Sequence, residues 1–359
     1  MAKVRERALD HKCPNCGSKI LFVPALGKWK CDNCNGEFDL EELKKHNNAS
    51  SEENNDKKSE VDDTNYVEYH CKDCGAGIIA DENTASTFCV YCGNTAILKS
   101  KLSGKFAPSK IIPFKKSKEE AIEAFKNISK GRPLMPRLFN KNENIEKISG
   151  VYIPFWLFSV KSKGDIKVNA KKIKTWVSGN YTYTQTDTYE VDRSANMYYD
   201  MIPFDGSTRF DDDLMNTIEP FDYKEMVEYN HAYLSGFLAE KYDVESTQGE
   251  QIIKDRSEET TKNKLLNSIT GYTTKTITNS NFETNIDKVE YVLLPVWIVN
   301  VKYKDKYYTF AMNAQTGEFV GDIPTSKARA IIFGSIIFIA IFLLIALISF
   351  LFLKFKGGM

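Results

Sequence analysis

The sequence predicts a multi-domain chain with two small cysteine-rich β modules, an α+β body and one C-terminal membrane-spanning helix. Three observations lead to this prediction. All eight cysteines lie before residue 93, in four C-x-x-C pairs. Segments rich in Tyr, Ile, Val and Phe follow from residue 101 onward, and an uncharged apolar run lies near the end. At 359 residues the chain is too long for one ordinary compact domain, so several units are expected.

Charge and cysteine content limit the choice of cellular compartment and of partner class. Lys+Arg and Asp+Glu both total 48, so no overall attraction to nucleic acid or to an anionic surface follows. The segment from Met1 to Asp10 is charged, and no apolar run of about 7 to 15 residues follows it, so a secretory signal peptide is not expected. Eight cysteines are compatible with disulfides or with metal ligation, and their spacing decides between the two.

The cysteines form two copies of one pattern, in which two C-x-x-C pairs are separated by fourteen residues. Each copy supplies the four thiolates that tetrahedral Zn²⁺ accepts, which predicts a zinc ribbon in residues 1–46 and another in residues 65–100. Two structural Zn²⁺ ions are the predicted cofactors. Iron in a rubredoxin-like site and a redox dithiol are the alternatives. The predicted ligands are Cys13, Cys16, Cys31, Cys34, Cys71, Cys74, Cys89 and Cys92.

Glycines beside the cysteines support the same interpretation. In a metal knuckle, backbone amides point at the thiolates, and a glycine after the second cysteine takes a positive φ without strain. Gly17, Gly75 and Gly93 directly follow such a cysteine, and Gly36 follows one residue later. Because protein thiolates fill all four positions, no place is left for water or substrate, and the zinc is expected to be structural.

A polar segment, residues 47–64, separates the two ribbons. It contains mainly Asn, Ser, Glu, Asp and Lys, with one Val and one Ala. Such a composition cannot bury enough apolar surface to offset the entropy lost on ordering. The segment is therefore predicted to be a flexible linker that lets the first ribbon move independently of the second.

Two helices are predicted in the body. Ser117 and Glu120 form a capping box, and apolar residues recur at helical spacing after it. Asp222 and Glu225 repeat this start signal, and the apolar stripe that follows predicts a second helix ending near Tyr242.

The rest of the body, which spans residues 101–326, has the pattern of antiparallel strands. Apolar and polar residues alternate on both sides of Ser178-Gly179-Asn180 and again around Lys304-Asp305-Lys306. The segment Ile153-Pro154-Phe155-Trp156-Leu157 is similar to Leu294-Pro295-Val296-Trp297-Ile298. The body is therefore a candidate for a duplicated β-unit, with chance similarity of apolar strands as the alternative.

The run from Ala330 to Leu353 contains twenty-four residues without a charge, Asn or Gln. As a helix it reaches roughly 36 Å, enough to cross a hydrocarbon layer of about 30 Å. Residues 327–359 are therefore predicted to be a single-pass membrane anchor. The basic residues on its two sides balance, so the cytoplasmic location of the N-terminal region is expected from the missing signal peptide and from thiols that need reducing conditions.

Other chemistry is sparse. The sequence contains no phosphate-binding loop, no nucleophile elbow and no zinc-protease motif, so no catalytic residue is assigned and an enzyme is not expected.

A basic stretch from Lys99 to Lys118 contains no acid. It is interpreted as a solvated face, with binding to anionic lipid as the alternative. Because no aromatic platform is interleaved, nucleic acid is not expected as a partner.

Four further segments carry a resemblance to a known family. Together with the cysteine pattern they resemble YdjG-like bacterial membrane proteins with TFIIB-type zinc ribbons, over a length from about Cys13 to the end. That family tends to occur beside phage-shock-type and SPFH-type membrane proteins, which implies recruitment or scaffolding in membrane stress. The segments are Ile112-Pro113-Phe114, Gly150-Val151-Tyr152-Ile153-Pro154-Phe155-Trp156, Glu219-Pro220-Phe221 and Ala232-Tyr233-Leu234-Ser235-Gly236-Phe237.

The expected function is a membrane-anchored adaptor that recruits protein partners to the cytoplasmic face of the membrane. A membrane-tethered nucleic-acid-binding or transcription-related protein is one alternative, which a gel shift of labelled nucleic acid by the isolated ribbons at low salt would favour. A metal or redox sensor is the other, which zinc exchange at submicromolar free metal would favour.

Overall fold

A computed structural model describes residues 12–51, 66–71, 75–81, 89–90, 97–101, 108–128, 130, 132–136, 148–209, 212–303 and 306–356. Within these ranges the first cysteine region forms a three-stranded sheet, and the other strands belong to a larger mixed sheet. Five α-helices accompany the described strands. The chain is thus a mixed α/β body with a cysteine cluster at one end and an apolar helix at the other.

The first cysteine region contains three antiparallel strands followed by a helix. The strands are β1 (Ile20–Val23), β2 (Lys28–Cys31) and β3 (Glu37–Phe38), in that order, and the helix is α1 (Leu40–Ser51). Asp39 and Glu42 cap α1 reciprocally, because each backbone N–H donates to the carboxylate of the other at 2.9 Å. The helix therefore extends over the first five residues of the predicted linker, and residues 52–64 lie outside the described part of the chain.

The larger sheet has the strand order β10-β7-β12-β8-β11-β5-β4-β6, with β9 paired to β8, β13 to β12 and β14 to β13. Its strands are β4 (Tyr66–Cys71), β5 (Gly77–Asp81), β6 (Ile97–Lys101), β7 (Lys110–Ile111), β8 (Ser149–Ser178), β9 (Tyr181–Asp205), β10 (Val227–Glu228), β11 (Leu238–Glu240), β12 (Thr274–Tyr303), β13 (Lys306–Asn313) and β14 (Phe319–Gly321). The remaining helices are α2 (Lys118–Ile128), α3 (Asp212–Ile218), α4 (Ser246–Ser268) and α5 (Lys327–Lys356).

Several predicted elements are present. The capping box at α2 has both reciprocal bonds, since the Ser117 N–H donates to Glu120 at 2.7 Å and the Glu120 N–H donates to the Ser117 hydroxyl at 3.2 Å. The predicted hairpin turns at Gly179, where φ is +61°, between β8 and β9. The predicted meander consists of β12, β13 and β14.

The predicted second helix, from Asp222 to about Tyr242, is wrong. This segment forms two short 3-10 turns and the strands β10 and β11. The Asn230 side chain accepts the Ala232 N–H at 2.9 Å, which starts a new turn, and Gly236 takes a φ of +91° that ends it. Strand β11 is buried because it lies between β8 and β5, so its apolar residues belong to the sheet and not to a helical stripe.

Two similar segments in the body have equivalent contacts. They lie in adjacent antiparallel strands, β8 and β12, and meet at the pair Ile153 and Leu294. The Trp156 indole N–H donates to the Val244 carbonyl at 2.8 Å, and the Trp297 indole N–H donates to the Lys116 carbonyl at 2.9 Å. Each tryptophan thus bonds the chain shortly after a short strand that runs parallel to its own: Val244 is four residues beyond β11, and Lys116 is five residues beyond β7.

The strand ends repeat this correspondence. The Gly206 N–H donates to the Pro154 carbonyl at 3.0 Å, and the Ala314 N–H donates to the Pro295 carbonyl at 3.1 Å. Gly206 follows the end of β9 and Ala314 follows the end of β13. The two segments thus have equivalent contacts at their strand ends, and the duplicated β-unit stays a prediction.

A long arm extends from this core. Strands β8, β9 and β12 pair side by side as far as Lys171, and β8 and β9 continue alone to the turn. Helix α4 covers one face of the arm, where Leu265 and Ile269 pack on buried residues of β8 such as Ile166 and Val168. The arm therefore ends in a two-stranded hairpin without a covering helix.

Helix α5 contains the predicted apolar run. Within the described residues it is the one helix long and apolar enough to cross a membrane, over Lys327–Ser349. None of that window is buried against the rest of the chain. A helix in the core of a water-soluble domain would bury most of such a surface.

Candidate metal centre

Four cysteines of the first region converge on one point. The Sγ atoms of Cys13 and Cys34 are 3.4 Å apart, those of Cys16 and Cys31 are 3.5 Å apart, and all four lie within 4.8 Å of one another. Thiolates placed tetrahedrally at about 2.3 Å from Zn²⁺ lie about 3.8 Å apart. The cluster therefore has the donor atoms and the spacing that one metal ion of this type requires.

Two backbone knuckles hold the thiols in place. The Cys13 N–H donates to the Ser18 carbonyl at 2.7 Å, and the Gly17 N–H donates back to the Cys13 carbonyl at 2.8 Å. The second knuckle has the same two bonds, both at 2.9 Å, from Cys31 to Gly36 and from Asn35 to Cys31. The C-x-x-C spacing thus produces the same turn twice.

The two knuckles differ in the residue that takes the positive φ. Gly17 has a φ of +70°, as predicted, whereas in the second knuckle Asn35 has a φ of +56° and the glycine after it does not. Asparagine is one of the few non-glycine residues that tolerate this conformation. Gly36 is needed for space instead, because a Cβ there would lie 2.8 Å from the Phe38 ring.

The electrostatics of the cluster favour a bound cation. Hydrogen bonds from the side chain and backbone of Ser18, and a further one from Asn33, lower the pKa of Cys16 to about 6. The Gly36 backbone N–H acts in the same direction on Cys34, but contact with Cys13, burial and the other thiols outweigh it and raise the pKa of Cys34 to about 12. Four crowded thiols cannot all ionise unless a positive charge offsets their repulsion.

Ser18 and Asn33 were not among the predicted site residues. Their signal was nevertheless present in the sequence, since Ser18 is a polar residue two positions after the first C-x-x-C pair and Asn33 is a polar residue within the second. The four thiols fit Zn²⁺, which would accept all four and leave no position for substrate. When bound, the ion would fix the two knuckles to each other. This chain's own residues supply the hydrogen bonds that favour the thiolate form of Cys16.

The second cysteine region repeats the first knuckle. The Cys71 N–H donates to the Ala76 carbonyl and the Gly75 N–H donates to the Cys71 carbonyl, both at 2.9 Å, and Gly75 has a φ of +71°. Cys71 and Cys89 are buried. The other two predicted ligands, Cys74 and Cys92, lie outside the described residues, as does Gly93. A second four-cysteine site therefore stays a prediction.

The first ribbon is attached to the body by side chains and by one backbone hydrogen bond, in which the Phe22 N–H donates to the Ser235 carbonyl at 3.2 Å. The Trp29 indole N–H donates to the Ala232 carbonyl at 2.9 Å, and the Trp29 ring lies 5.1 Å from that of Tyr233. The Phe22 ring lies 5.4 Å from Tyr233 and 6.5 Å from Phe237. These contacts give the ribbon a fixed position on the segment from Ala232 to Phe237, contrary to the expectation that it moves independently.

The second cysteine region is attached by its backbone. Strand β5 pairs with β11, so that β4, β5 and β6 continue the sheet of the body. Arg209 reinforces this junction, because its guanidinium donates to the Gly75 carbonyl at 2.9 Å and lies 3.8 Å from the Asp243 carboxylate. The same guanidinium lies 4.0 Å from the buried Glu240.

Comparison with known proteins extends the relationship to nearly the whole chain. Over 341 residues the chain is 36% identical to the uncharacterized protein YdjG of Bacillus subtilis (strain 168), with 95% of this chain and 97% of that protein covered. The chain belongs to the YdjG family. No family model and no solved structure matches it. Membership in the YdjG family rests on full-length similarity, and the TFIIB type of the ribbons stays a prediction.

The basic stretch from Lys99 to Lys118 is partly neutralised by acids from elsewhere in the fold. Lys110 lies 3.3 Å from Glu290, Lys115 pairs with Glu225 and Lys116 lies 3.0 Å from Glu120. These pairs favour the interpretation of a solvated face over that of a lipid-binding or nucleic-acid-binding surface.

Proposed function

We propose that this member of the YdjG family is a membrane-anchored adaptor with two structural zinc ions, and that it recruits protein partners to the cytoplasmic face of the membrane. Helix α5 is the anchor and residues 1–326 form the cytoplasmic part. Phage-shock-type and SPFH-type membrane proteins are the partners to test first, because the family resemblance points to them and to membrane stress. No catalytic residue is assigned in this proposal.

The observation that carries the proposal is the isolation of helix α5. Its apolar side chains, such as Phe338 at 71% exposure, have no covering surface in the rest of the described chain. A bilayer offers a matching apolar medium for a helix of this length. A metal ion bound by all four clustered thiols would leave no position for substrate, which supports a structural role for the N-terminal region.

A cleft between the first ribbon and the body is the surface that best suits a protein partner. It has a volume of about 480 Å³. Lys30 and Asp32 of the ribbon and Lys118 and Glu119 of α2 line it, together with the apolar Trp297. An apolar surface surrounded by polar and charged side chains is the arrangement of a protein interface, in which an apolar core has a polar rim.

An anchor exchange tests the proposal. A chain without residues 327–359 should leave its partner dispersed, whereas a chain with an unrelated single transmembrane helix should return the partner to the membrane, since Ala330 to Leu353 contains no ionisable group and no G-x-x-x-G. Fluorescence microscopy of tagged phage-shock-type and SPFH-type proteins gives the readout. Partner localisation that is unchanged in the truncated form would contradict the adaptor function.

A charge reversal in the cleft provides the matched comparison. Lys30→Glu with Lys118→Glu should weaken capture of the partner by the anchored chain, whereas Lys126→Glu, on the same helix but outside the cleft, should not.

The metal or redox sensor remains the second candidate, because two of the four clustered thiols, Cys16 and Cys34, are exposed. Rapid loss of zinc to submicromolar chelator from the folded chain would favour the sensor.

A further inference from the structure

The far end of the arm has a composition unlike the rest of its surface. The hairpin tip, residues 172–186, extends beyond the last pairing of β12 with β8 at Lys171. Seven residues of β8 lie beyond that point, which corresponds to about 23 Å of two-stranded ribbon. A two-stranded ribbon is only marginally stable in water. A medium that covers the tip would therefore stabilise it.

The last residues of the tip place exposed apolar side chains on both faces, with threonines around those on one of them. Trp176 and Tyr183 are cross-strand partners on one face, where their rings stack at 5.7 Å with an interplanar angle of 14°. Tyr181 lies beside them and is 71% exposed. Val177, also 71% exposed, and Ile173 lie on the opposite face, because side chains alternate along a strand. A protein that docks on one face would leave the other apolar face in water.

Lysines follow directly behind this apolar end. Lys171, Lys172 and Lys174 are exposed. Asp187 lies across the ribbon from Lys172, so the net positive charge comes from Lys171 and Lys174, which face Thr188 and Gln185. Trp and Tyr are the residues enriched at the boundary between membrane and water, and lysines behind them match anionic headgroups in sign. Along the tip, an apolar end with aromatic rings is followed by positive charge. This order matches the layers of a bilayer from the acyl chains outward to the anionic headgroups.

We propose that the hairpin tip inserts into the interfacial layer of a bilayer that contains anionic lipid. Trp176, Val177 and Tyr181 enter the boundary between headgroups and acyl chains, and the lysines contact lipid phosphates. The chain thus has a second membrane contact in addition to α5. The inference rests on the proposed membrane location, but it concerns a different part of the chain.

The experiment measures Trp176 in the full-length chain reconstituted into vesicles of phosphatidylcholine with or without phosphatidylglycerol. The chain has four tryptophans, so the signal of Trp176 is the difference between the wild type and Trp176→Phe. Brominated acyl chains quench only a tryptophan that reaches the bilayer. The expected result is quenching and a blue shift of the Trp176 emission in vesicles with the anionic lipid, and much less of both without it.

Two sets of variants sharpen the result. Lys171→Glu with Lys174→Glu should reduce the anionic preference by more than tenfold, since each lysine near an anionic surface contributes roughly fivefold. Val177→Ser with Tyr181→Ser should reduce quenching in every lipid. Tyr198→Ser is the matched control, because Tyr198 is an exposed aromatic residue on β9 outside the tip, and it should change nothing.

Separate outcomes distinguish the possible occupants. Brominated lipid placed only in added empty vesicles shows whether the tip reaches a second membrane, and quenching there or in the host vesicle supports the proposal. Trp176 that stays accessible to iodide and unquenched in both arrangements overturns it. A blue shift that grows with protein concentration in unbrominated vesicles indicates a second copy of the chain and also overturns it. Flotation of the chain with its vesicles tests α5 independently, so a floating but unquenched chain refutes only this inference.

Discussion

The two cysteine regions share a knuckle but are joined to the body in different ways. The first forms its own three-stranded sheet and contacts the body through Trp29 and Phe22. The second places β5 beside β11, so that backbone hydrogen bonds continue from its knuckle into the large sheet. The same local chemistry is therefore coupled weakly to the fold in one case and strongly in the other.

This difference implies different consequences of metal loss. Side-chain contacts and the single backbone hydrogen bond from Phe22 to Ser235 can break while the sheet of the body keeps its own hydrogen bonds. A strand removed from within a sheet leaves its neighbours with unpaired backbone groups, which costs free energy at each group. We therefore expect the first zinc to control a local unit and the second to control part of the body.

The largest effect is expected from Cys71→Ser with Cys89→Ser. Structural zinc contributes on the order of 10 kcal/mol to the folding of a small ribbon, and here that loss would be transmitted to β11 through β5. Hydrogen exchange followed by mass spectrometry should show lost protection at Leu238–Glu240, together with a lower melting temperature of the whole body. Unchanged protection of β11 would show that the second region is not coupled as its strand pairing implies.

Cys13→Ser with Cys31→Ser should have a more local effect. We expect one zinc fewer per chain and rapid exchange in β1 and β2, while β8 and β12 keep their protection because they do not pair with the first ribbon. Equal destabilisation of the body by this variant and the previous one would remove the distinction between the two regions.

Trp29→Ala should detach the first ribbon without removing its metal. The side chain is 1% exposed, and truncation of a buried tryptophan costs about 3–5 kcal/mol. Trp29→Phe keeps most of the packing and loses the hydrogen bond to Ala232, at a cost of about 1 kcal/mol. Thermal unfolding measures the loss of stability in each variant, and zinc analysis of the same samples shows whether the metal is retained. Loss of zinc from Trp29→Phe would contradict the expectation that detachment leaves the metal site intact.

These attachments also show what the sequence could and could not reveal. The C-x-x-C pairs, the capping box at Ser117 and the apolar run of α5 are local patterns, so the elements they indicate were predictable. The position of the first ribbon depends on Trp29 meeting Tyr233, about two hundred residues away, which no local pattern encodes.

The failed helix has the same cause. Residues Tyr233, Phe237 and Leu238 follow an apolar spacing that fits a helix. Once Gly236 redirects the chain, Tyr233 packs on Phe22 and Trp29, whereas Leu238 lies in the buried strand β11. Apolar spacing in a sequence indicates which residues are buried, but it does not indicate which element covers them. The two segments around Trp156 and Trp297 have similar sequences and similar tryptophan hydrogen bonds, while a common duplicated origin stays a prediction.

Arg209→Met tests the junction of the second region. It removes the donor to the Gly75 carbonyl and the cation near the buried Glu240 carboxylate, so we expect a loss of about 2 kcal/mol in stability. Arg209→Lys should recover only part of it, because an ammonium cannot reproduce the planar guanidinium. Chemical denaturation with linear extrapolation gives both values. An unchanged free energy of unfolding in Arg209→Met would show that strand pairing alone stabilises the junction.

Asn35 gives the smallest expected effect and the finest comparison of the knuckles. Asn35→Ala places a less tolerant residue at a φ of +56° and should cost about 1 kcal/mol, whereas Asn35→Gly should be neutral or slightly stabilising. The readout is the zinc affinity of the first site in competition with a chelator. Equal affinities for the alanine and glycine variants would contradict the requirement for a positive φ.

The central claim, that the chain holds two structural zinc ions of which one is integrated into the body sheet, is tested most directly by metal content. Elemental analysis of the purified full-length chain, kept reduced, should give two zinc atoms per chain. A value well below two with all eight cysteines reduced, or iron in place of zinc, would contradict the account.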